Sequence, residues 1–483
     1  MVFSSLTFLY IFLPVVLILN FIIHKKFKNA ILLIASILFY AWGGVSYTAI
    51  LIISIIANFF IGKLISKYLY SSRSRLYLTI GVVINLGMLG VFKYGNFVVE
   101  NLNVIFDSIS VSIELSDPGI LLPIGISFYT FQALSYLIDV YKKRTPVQNN
   151  IVDLALYISL FPQLIAGPIV RYNDIAEQLS KRENNLVNFS SGVERFVLGL
   201  AKKVLIANQF ALLADTAFSI APSNLSTIIA WAGIAAYTFQ IYFDFSGYSD
   251  MAIGLGRMFG FKFLENFNFP YISRSIREFW RRWHISLSNW FRDYLYIPLG
   301  GNRLGNHRTY FNLLLVFFVT GIWHGASWNF VAWGMLHGLF MIIEKLGFDK
   351  VLERMWKPIQ HFYTIFIVMM AWVLFRADDF THAWGYFKAL FSYRSINLNM
   401  DVWSTFSNNE VYTISIIALL SSTLIWVKLH EKAQKFVTSN PNFLKIFSIS
   451  YSMMVVLFIV SVMTLSTTYL VTNSYNPFIY FRF

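Results

Sequence analysis

The chain has no cysteine among its 483 residues, which excludes disulfides, thiolate catalysis, thiolate-ligated zinc and iron–sulfur clusters. Any nucleophile must therefore be an oxygen or nitrogen group. Charge is scarce as well: Asp, Glu, Lys and Arg make up only 13%, against roughly 25% in a soluble domain. Other signatures are missing or broken. The eight histidines show no His-Glu-x-x-His or comparable ligand spacing, so no bound metal is expected. Gly254-Leu-Gly-Arg-Met-Phe-Gly260 misplaces the third glycine of a dinucleotide fingerprint and reads as close helix packing. Ser327 is followed two residues later by Asn329, so it is not a nucleophile elbow. No internal repeat of the kind that builds secondary transporters is visible. What remains is apolar: 57% hydrophobic and 18% aromatic residues, with a mean hydropathy of +0.59. This is an integral membrane protein.

Apolar runs long enough to cross a roughly 30 Å hydrocarbon layer recur throughout, and about eleven crossings are expected. The predicted fold is all-α and polytopic, a single membrane domain over residues 1–483. The first run, 3–23, has no basic residue before it, and His24-Lys25-Lys26 follows. It reads as an uncleaved span with its N-terminus outside. Runs at 30–42 and 47–64 lead to Lys63, Lys67, Arg73 and Arg75, on the inside; 76–92 exits into Glu100, Asp107, Glu114 and Asp117, with Lys93 the sole cation. After 120–140, Lys142, Lys143 and Arg144 return to the cytoplasmic side. The stretch 151–170 has cations at both ends and contains Pro162, Gly167 and Pro168. It predicts a re-entrant hairpin surrounded by protein, two short interfacial helices being the alternative. Runs at 193–217 and 226–245 precede 257–308, which holds nine Lys or Arg and only Glu265, Glu278 and Asp293 against them. That segment is expected in the cytoplasm, where it attracts anionic lipid. Its clustered guanidinium groups, Arg281 and Arg282 among them, also suit the phosphates of an acyl donor such as coenzyme A. Nucleic acid is not an expected partner, since no binding module surrounds the cations.

Three polar constellations interrupt this pattern. His324 lies between apolar runs at 310–322 and 330–346. An ionisable group at membrane depth is expensive and points to function, and an imidazole, with a reference pKa of about 6.5, accepts a hydroxyl proton near neutrality. Segment 276–291 is amphipathic at helical spacing, with Ile276, Trp280, Trp283, His284, Leu287 and Phe291 on one face. It predicts one helix lying in the headgroup layer; His284 there is either catalytic or a hydrogen-bonded structural histidine. Tyr237, Gln240, Asp244 and Tyr248 fall on one helical face, so Asp244 is expected to orient an imidazole, hold a substrate hydroxyl or brace helices.

The residues also carry a resemblance. Arg281-Arg-Trp-His-Ile-Ser-Leu-Ser-Asn-Trp-Phe-Arg-Asp-Tyr-Leu-Tyr-Ile-Pro-Leu-Gly-Gly-Asn302 and Trp323-His-Gly-Ala-Ser-Trp-Asn329 resemble the membrane-bound O-acyltransferase family, in its bacterial alginate, peptidoglycan and cellulose O-acetylation branch. The likeness extends from Met1-Val-Phe-Ser-Ser-Leu-Thr-Phe-Leu9 through Tyr242-Phe-Asp-Phe-Ser-Gly-Tyr-Ser-Asp250 to Phe478-Ile-Tyr-Phe-Arg-Phe483. It implies the family fold in the bacterial inner membrane, His324 as catalytic histidine in an intramembrane tunnel, and His284 as the second family histidine on the cytoplasmic side. It further implies acetyl-CoA or another acyl thioester as donor substrate, no bound cofactor, and an exported or cell-surface polysaccharide as the polymer modified. The implied partners are polysaccharide synthesis and export machinery and a separate extracytoplasmic SGNH-type acyltransferase. On this reading Asp244, Tyr248, Trp323 and Asn329 contact substrate, and Asn329, Trp323 or a backbone N–H stabilises the oxyanion. Alternatives are D-alanyl or other acyl transfer to a cell-wall polymer, and a transporter or flippase of acyl or glycan precursors. The tail, 476–483, has four aromatics and Arg482, which suit an interfacial anchor. It also resembles a C-terminal motif of surface-polymer acylation systems, which would make Tyr480 an acyl relay.

Overall fold

The computed structural model describes residues 1–182, 185–393, 400–438, 441–473 and 475–479. Every regular element among them is helical: α1 (Leu13–Ile22), α2 (Lys28–Ala41), α3 (Val45–Lys67), α4 (Ser72–Ser108), α5 (Ile126–Tyr141), α6 (Ile151–Ser159), α7 (Phe161–Leu164), α8 (Tyr172–Ser180), α9 (Leu186–Ala201), α10 (Asn208–Ser219), α11 (Thr227–Met258), α12 (Ile276–Arg282), α13 (Ile285–Phe291), α14 (Asn306–His324), α15 (Trp328–Ile343), α16 (Asp349–Arg354), α17 (Lys357–Arg376), α18 (Phe380–Phe391), α19 (Met400–Phe406), α20 (Asn409–Ser421), α21 (Ile425–Thr438) and α22 (Pro441–Thr472). Seven of the described helices are long and apolar enough to span a bilayer: α3, α4, the continuous unit Leu186–Ser219, α11, Trp328–Arg354, α17 and the stretch Ser450–Thr472 of α22. The expected number was about eleven. The difference lies in apolar helices such as α2, α5 and α20, whose 14, 16 and 13 residues fall short of the roughly 20 a straight crossing needs.

Burial explains how the short pieces persist. Residues Leu154 to Val170 of the broken α6–α7 stretch are buried in protein, so interrupted backbone there never meets lipid. The region has the form of the re-entrant reading, not of two helices lying at the surface. Segment 276–291 departs from expectation. It is two seven-residue helices, α12 and α13, broken at Trp283–His284, where His284 takes φ +44°. Trp283, His284, Leu287 and Phe291 are buried instead of lying in the headgroup layer. The break turns a single apolar stripe into two faces that both pack inward.

The long helix α11 ties the molecule together. Its C-terminal half joins an apolar cluster that contains α2, α3 and α5, and its N-terminal half joins a second one that contains α10, α17 and α18. The seam between the clusters crosses α11 near Asp244. Of the glycines of 254–260, Gly254 packs helices closely: a Cβ there would sit 2.6 Å from the Gly192 carbonyl oxygen of α9, whereas Gly256 faces the Phe263 ring.

Candidate active site

His324 is the last residue of α14, and the turn to α15 is only three residues long, so the two helices form a tight antiparallel hairpin. Ser327 Oγ caps α15 by accepting from the Asn329 N–H at 3.3 Å. Close approach lower down depends on Gly334, where a Cβ would lie 2.3 Å from the Phe317 carbonyl oxygen. The hairpin thus holds a buried imidazole, 7% exposed, among aromatic edges: Trp323 and Trp333 at 4.9 Å between ring centroids and Phe375 at 5.2 Å. His324 lines two cavities. One, about 630 Å³, is also walled by Lys93, Ser127, Phe128 and Trp323. The other, about 300 Å³, is walled by Ile241, Phe245, Trp283, Trp333, Trp372, Phe375 and Ile479.

Lys93, which in sequence reads only as a flanking charge, lies on the spanning helix α4. Its ammonium donates to the Trp323 carbonyl at 2.5 Å and the His324 carbonyl at 3.0 Å, with Ser127 Oγ at 3.5 Å. A cation at the C-terminal end of α14 satisfies carbonyls that have no partner within the helix and offsets the negative end of its dipole. The signal was available, since a lysine amid an apolar run is a functional candidate by default.

His284 stands on the other side of Trp323, whose ring centroid is 6.2 Å from it. Its Nδ1 is 3.1 Å from Asn266 Oδ1, an oxygen that also accepts from the Ser286 backbone N–H and hydroxyl at 3.2 and 2.8 Å. With that oxygen acting as acceptor, Nδ1 carries the hydrogen and Nε2 the lone pair. Burial pushes the imidazole down to about 3, so it is neutral at physiological pH. Its left-handed backbone is a strained conformation of the kind kept at functional sites.

The remaining expected site residues do not gather around His324. Asn329 donates from Nδ2 to the Ala377 carbonyl at 3.0 Å, which makes it a strut between α15 and the end of α17. Tyr248 packs its ring between Phe3 and Phe478, at 4.5 and 4.7 Å. Asp244 does not engage an imidazole; it pairs with Lys203 at 2.8 Å and accepts the Ile479 N–H at 2.9 Å. Lys203, which sequence reasoning did not single out, sits on the π-helical turn Lys202–Ala207 between α9 and α10. The described part of the tail is therefore not an interfacial anchor: Phe478 and Ile479 are buried in the protein. Tyr480 lies outside the described residues.

Alongside α12, Arg274, Arg277, Arg281 and Arg282 line a cavity of about 1250 Å³ together with the carboxyl groups of Glu278, Glu344, Asp349 and Glu353. Arg282 pairs with Glu278 at 2.9 Å and Arg277 with Asp349 at 3.3 Å. Trp280, next in sequence to the cavity-lining Arg281, begins a run of packed rings that ends at His324: Trp280 to His337 at 5.1 Å, His337 to Trp333 at 5.1 Å, and Trp333 to His324 at 4.9 Å. Among the described residues no three His, Asp or Glu side chains assemble into a metal site.

Residues 144–377, from the end of α5 through α17, match the membrane-bound O-acyltransferase family. The chain is 45% identical over 426 residues to the "Probable alginate O-acetylase" of Azotobacter vinelandii, covering 88% of this chain and 84% of that protein. The chain belongs to the membrane-bound O-acyltransferase family. It is an acyltransferase, and the region that the family match covers holds His284, His324 and the arginine-lined cavity. Other members are similar: the peptidoglycan O-acetyltransferase of Helicobacter pylori is 38% identical over 82% of this chain and 81% of its own length. The teichoic acid D-alanyltransferase of Streptococcus thermophilus is 28% identical over 52% of this chain and 68% of its own.

Proposed function

We propose that this acyltransferase takes acetyl from a cytoplasmic thioester and passes it across the membrane for O-acetylation of an exported or cell-surface polysaccharide, with His324 as general base. The observation that carries this reading is that one buried imidazole lines two cavities. The thioester enters at the arginine-lined cavity, where Arg281 and Arg282 grip its phosphates, and its acyl end reaches His324. A hydroxyl acceptor enters the larger His324 cavity. His324 removes the hydroxyl proton as the oxygen attacks the thioester carbonyl, a role that contributes about 10²–10⁴-fold. The tetrahedral intermediate expels the thiolate, which takes the proton back from the imidazolium. Donor and acceptor stay on their own sides; only acetyl crosses. Trp323 separates His324 from His284 and holds the acceptor side, while neutral His284, fixed by Asn266, braces Trp323 from behind.

The same reading places the protein in the cell membrane with its N-terminus outside, working with synthesis and export machinery and an SGNH-type acyltransferase that finishes the polymer. Tyr480 is the candidate relay for the acetyl group, one residue beyond Ile479, which lines the smaller His324 cavity. A second reading, D-alanyl transfer to a cell-wall polymer, draws on the likeness to the Streptococcus thermophilus enzyme. The test measures polymer-bound acetate and D-alanine at equal membrane abundance in wild type, His324→Ala, His284→Ala and Tyr480→Phe. His324→Ala is expected to lose at least about 10²-fold, and His284→Ala less. Most of the activity surviving in His324→Ala would remove the general base; bound D-alanine in place of acetate would select the second reading.

A further inference from the structure

Residues 475–478 enter the protein as non-helical backbone, and the chain from 475 to 479 is held at successive steps. Tyr475 donates its hydroxyl to Asp215. Asn476 bonds Ser4 through Nδ2 at 3.0 Å and accepts from Asn208 at 3.2 Å. The last two residues reach the seam between the two apolar clusters, Phe478 joining one and Ile479 the other. There the Lys203 ammonium donates to the Pro477 carbonyl, and the Asp244 carboxylate accepts the Ile479 N–H at 2.9 Å while pairing with Lys203 at 2.8 Å. The Lys203 and Asp244 side chains are only 3% and 2% exposed. A buried ion pair is weak evidence for stability, since an apolar pair of similar size often serves as well or better. Its retention here has a specific use: each charged group spends a hydrogen bond on tail backbone.

We infer that Lys203 and Asp244 are positioning residues, a two-sided clamp that holds residues 477–479 so that Ile479 walls the smaller His324 cavity, and that the clamped tail is the catalytically competent state. Ile479 presents an apolar side chain to a cavity that is otherwise aromatic and aliphatic. A clamped tail closes that side of the cavity and keeps water from the thioester, which would otherwise hydrolyse. Competence, not inhibition, follows from what Ile479 offers His324: a methyl-bearing wall, with no charge that would occupy the imidazole.

This inference rests on the acetyl-transfer reading for its activity arm but not for its structural arm. Because the chain lacks cysteine, Ile241→Cys with Ile479→Cys, two residues lining the same cavity, reports docking through a short bifunctional thiol cross-linker in native membranes. Lys203→Met in that background is expected to lower cross-linking and polymer-bound acetate at least tenfold each. It also strands a buried carboxylate, so misfolding must be separated from loss of the clamp. Lys203→Met with Asp244→Leu removes both charges: it is expected to regain wild-type thermal stability in detergent while cross-linking and acetate stay low. If the single variant does not accumulate, the double variant alone is decisive, and Asp244→Asn, which keeps the volume and weakens the grip, is expected to fall between. Full cross-linking in the double variant would overturn the clamp. Wild-type acetate with the tail undocked would overturn the competent state. Loss of acetate in His324→Ala tests the acetyl-transfer reading separately, without bearing on the cross-link.

Discussion

Lys93→Met removes the ammonium that anchors the end of α14 while keeping an unbranched side chain of similar length. Two bonds are lost, to the Trp323 and His324 carbonyls at 2.5 and 3.0 Å. A hydrogen bond to a charged group contributes about 1.5–3 kcal/mol, and a cation near a helix C-terminus about 0.3–1 kcal/mol more. If only about 2 kcal/mol of this anchoring holds the imidazole in line, its loss lowers the rate about 30-fold, at 1.4 kcal/mol per tenfold. The defect should appear in the maximal rate. Lys93 is remote from the arginine cavity, so the donor concentration that half-saturates the enzyme should stay within about twofold of wild type. Lys93→Arg, which keeps charge and donors, should recover most of the activity. The assay is the initial rate of labelled acetyl incorporation at equal membrane abundance across a donor series. A Lys93→Met rate within threefold of wild type would refute the anchoring argument, as would a loss confined to donor affinity.

Three further outcomes are expected. Burial holds His284 at about 3 against about 6.5 in an unfolded chain, so the unfolded state binds the extra proton between these values. Stability is full above pH 6.5 and falls as the pH drops toward 3; His284→Gln should flatten the detergent melting profile in that window. Gly334→Ala forces a Cβ toward the Phe317 carbonyl, 2.3 Å away, and should cost about 1–3 kcal/mol, read as a lower melting temperature with reduced acetylation. A cysteine at exposed Asn302, introduced as Asn302→Cys, should resist an impermeant maleimide applied to intact cells and react once the membrane is opened; labelling from outside would reverse the topology.

The helical class and His324 were legible because apolar runs have few alternatives in lipid and an ionisable residue between two of them is conspicuous. The break at Trp283–His284 was not legible: side-chain periodicity runs through 276–291 without interruption, and only the backbone angle of His284 divides the stripe. Lys93 and Lys203 each interrupt an apolar run, which is a sign of function, but such a lysine also reads as a topology charge until its partner is known. Both partners are backbone carbonyls more than 200 residues away, a relation that no local pattern encodes. Asp244 was found, but its neighbours were sought along its own helix, whereas its partners come from the π-turn after α9 and from the tail.

The tail's backbone also constrains how it reaches its place. Peptide groups outside a helix cost several kcal/mol each when they face hydrocarbon without partners. Pro477 brings no N–H, its carbonyl is taken by Lys203, and the Ile479 N–H is taken by Asp244. Sliding in sideways between helices would drag these groups through lipid before any partner was available. Threading lengthwise, past Asp215 and then Asn208 toward Lys203, offers a polar partner at successive steps. Ser4, bonded to Asn476, holds the strand just before its backbone reaches the buried pair.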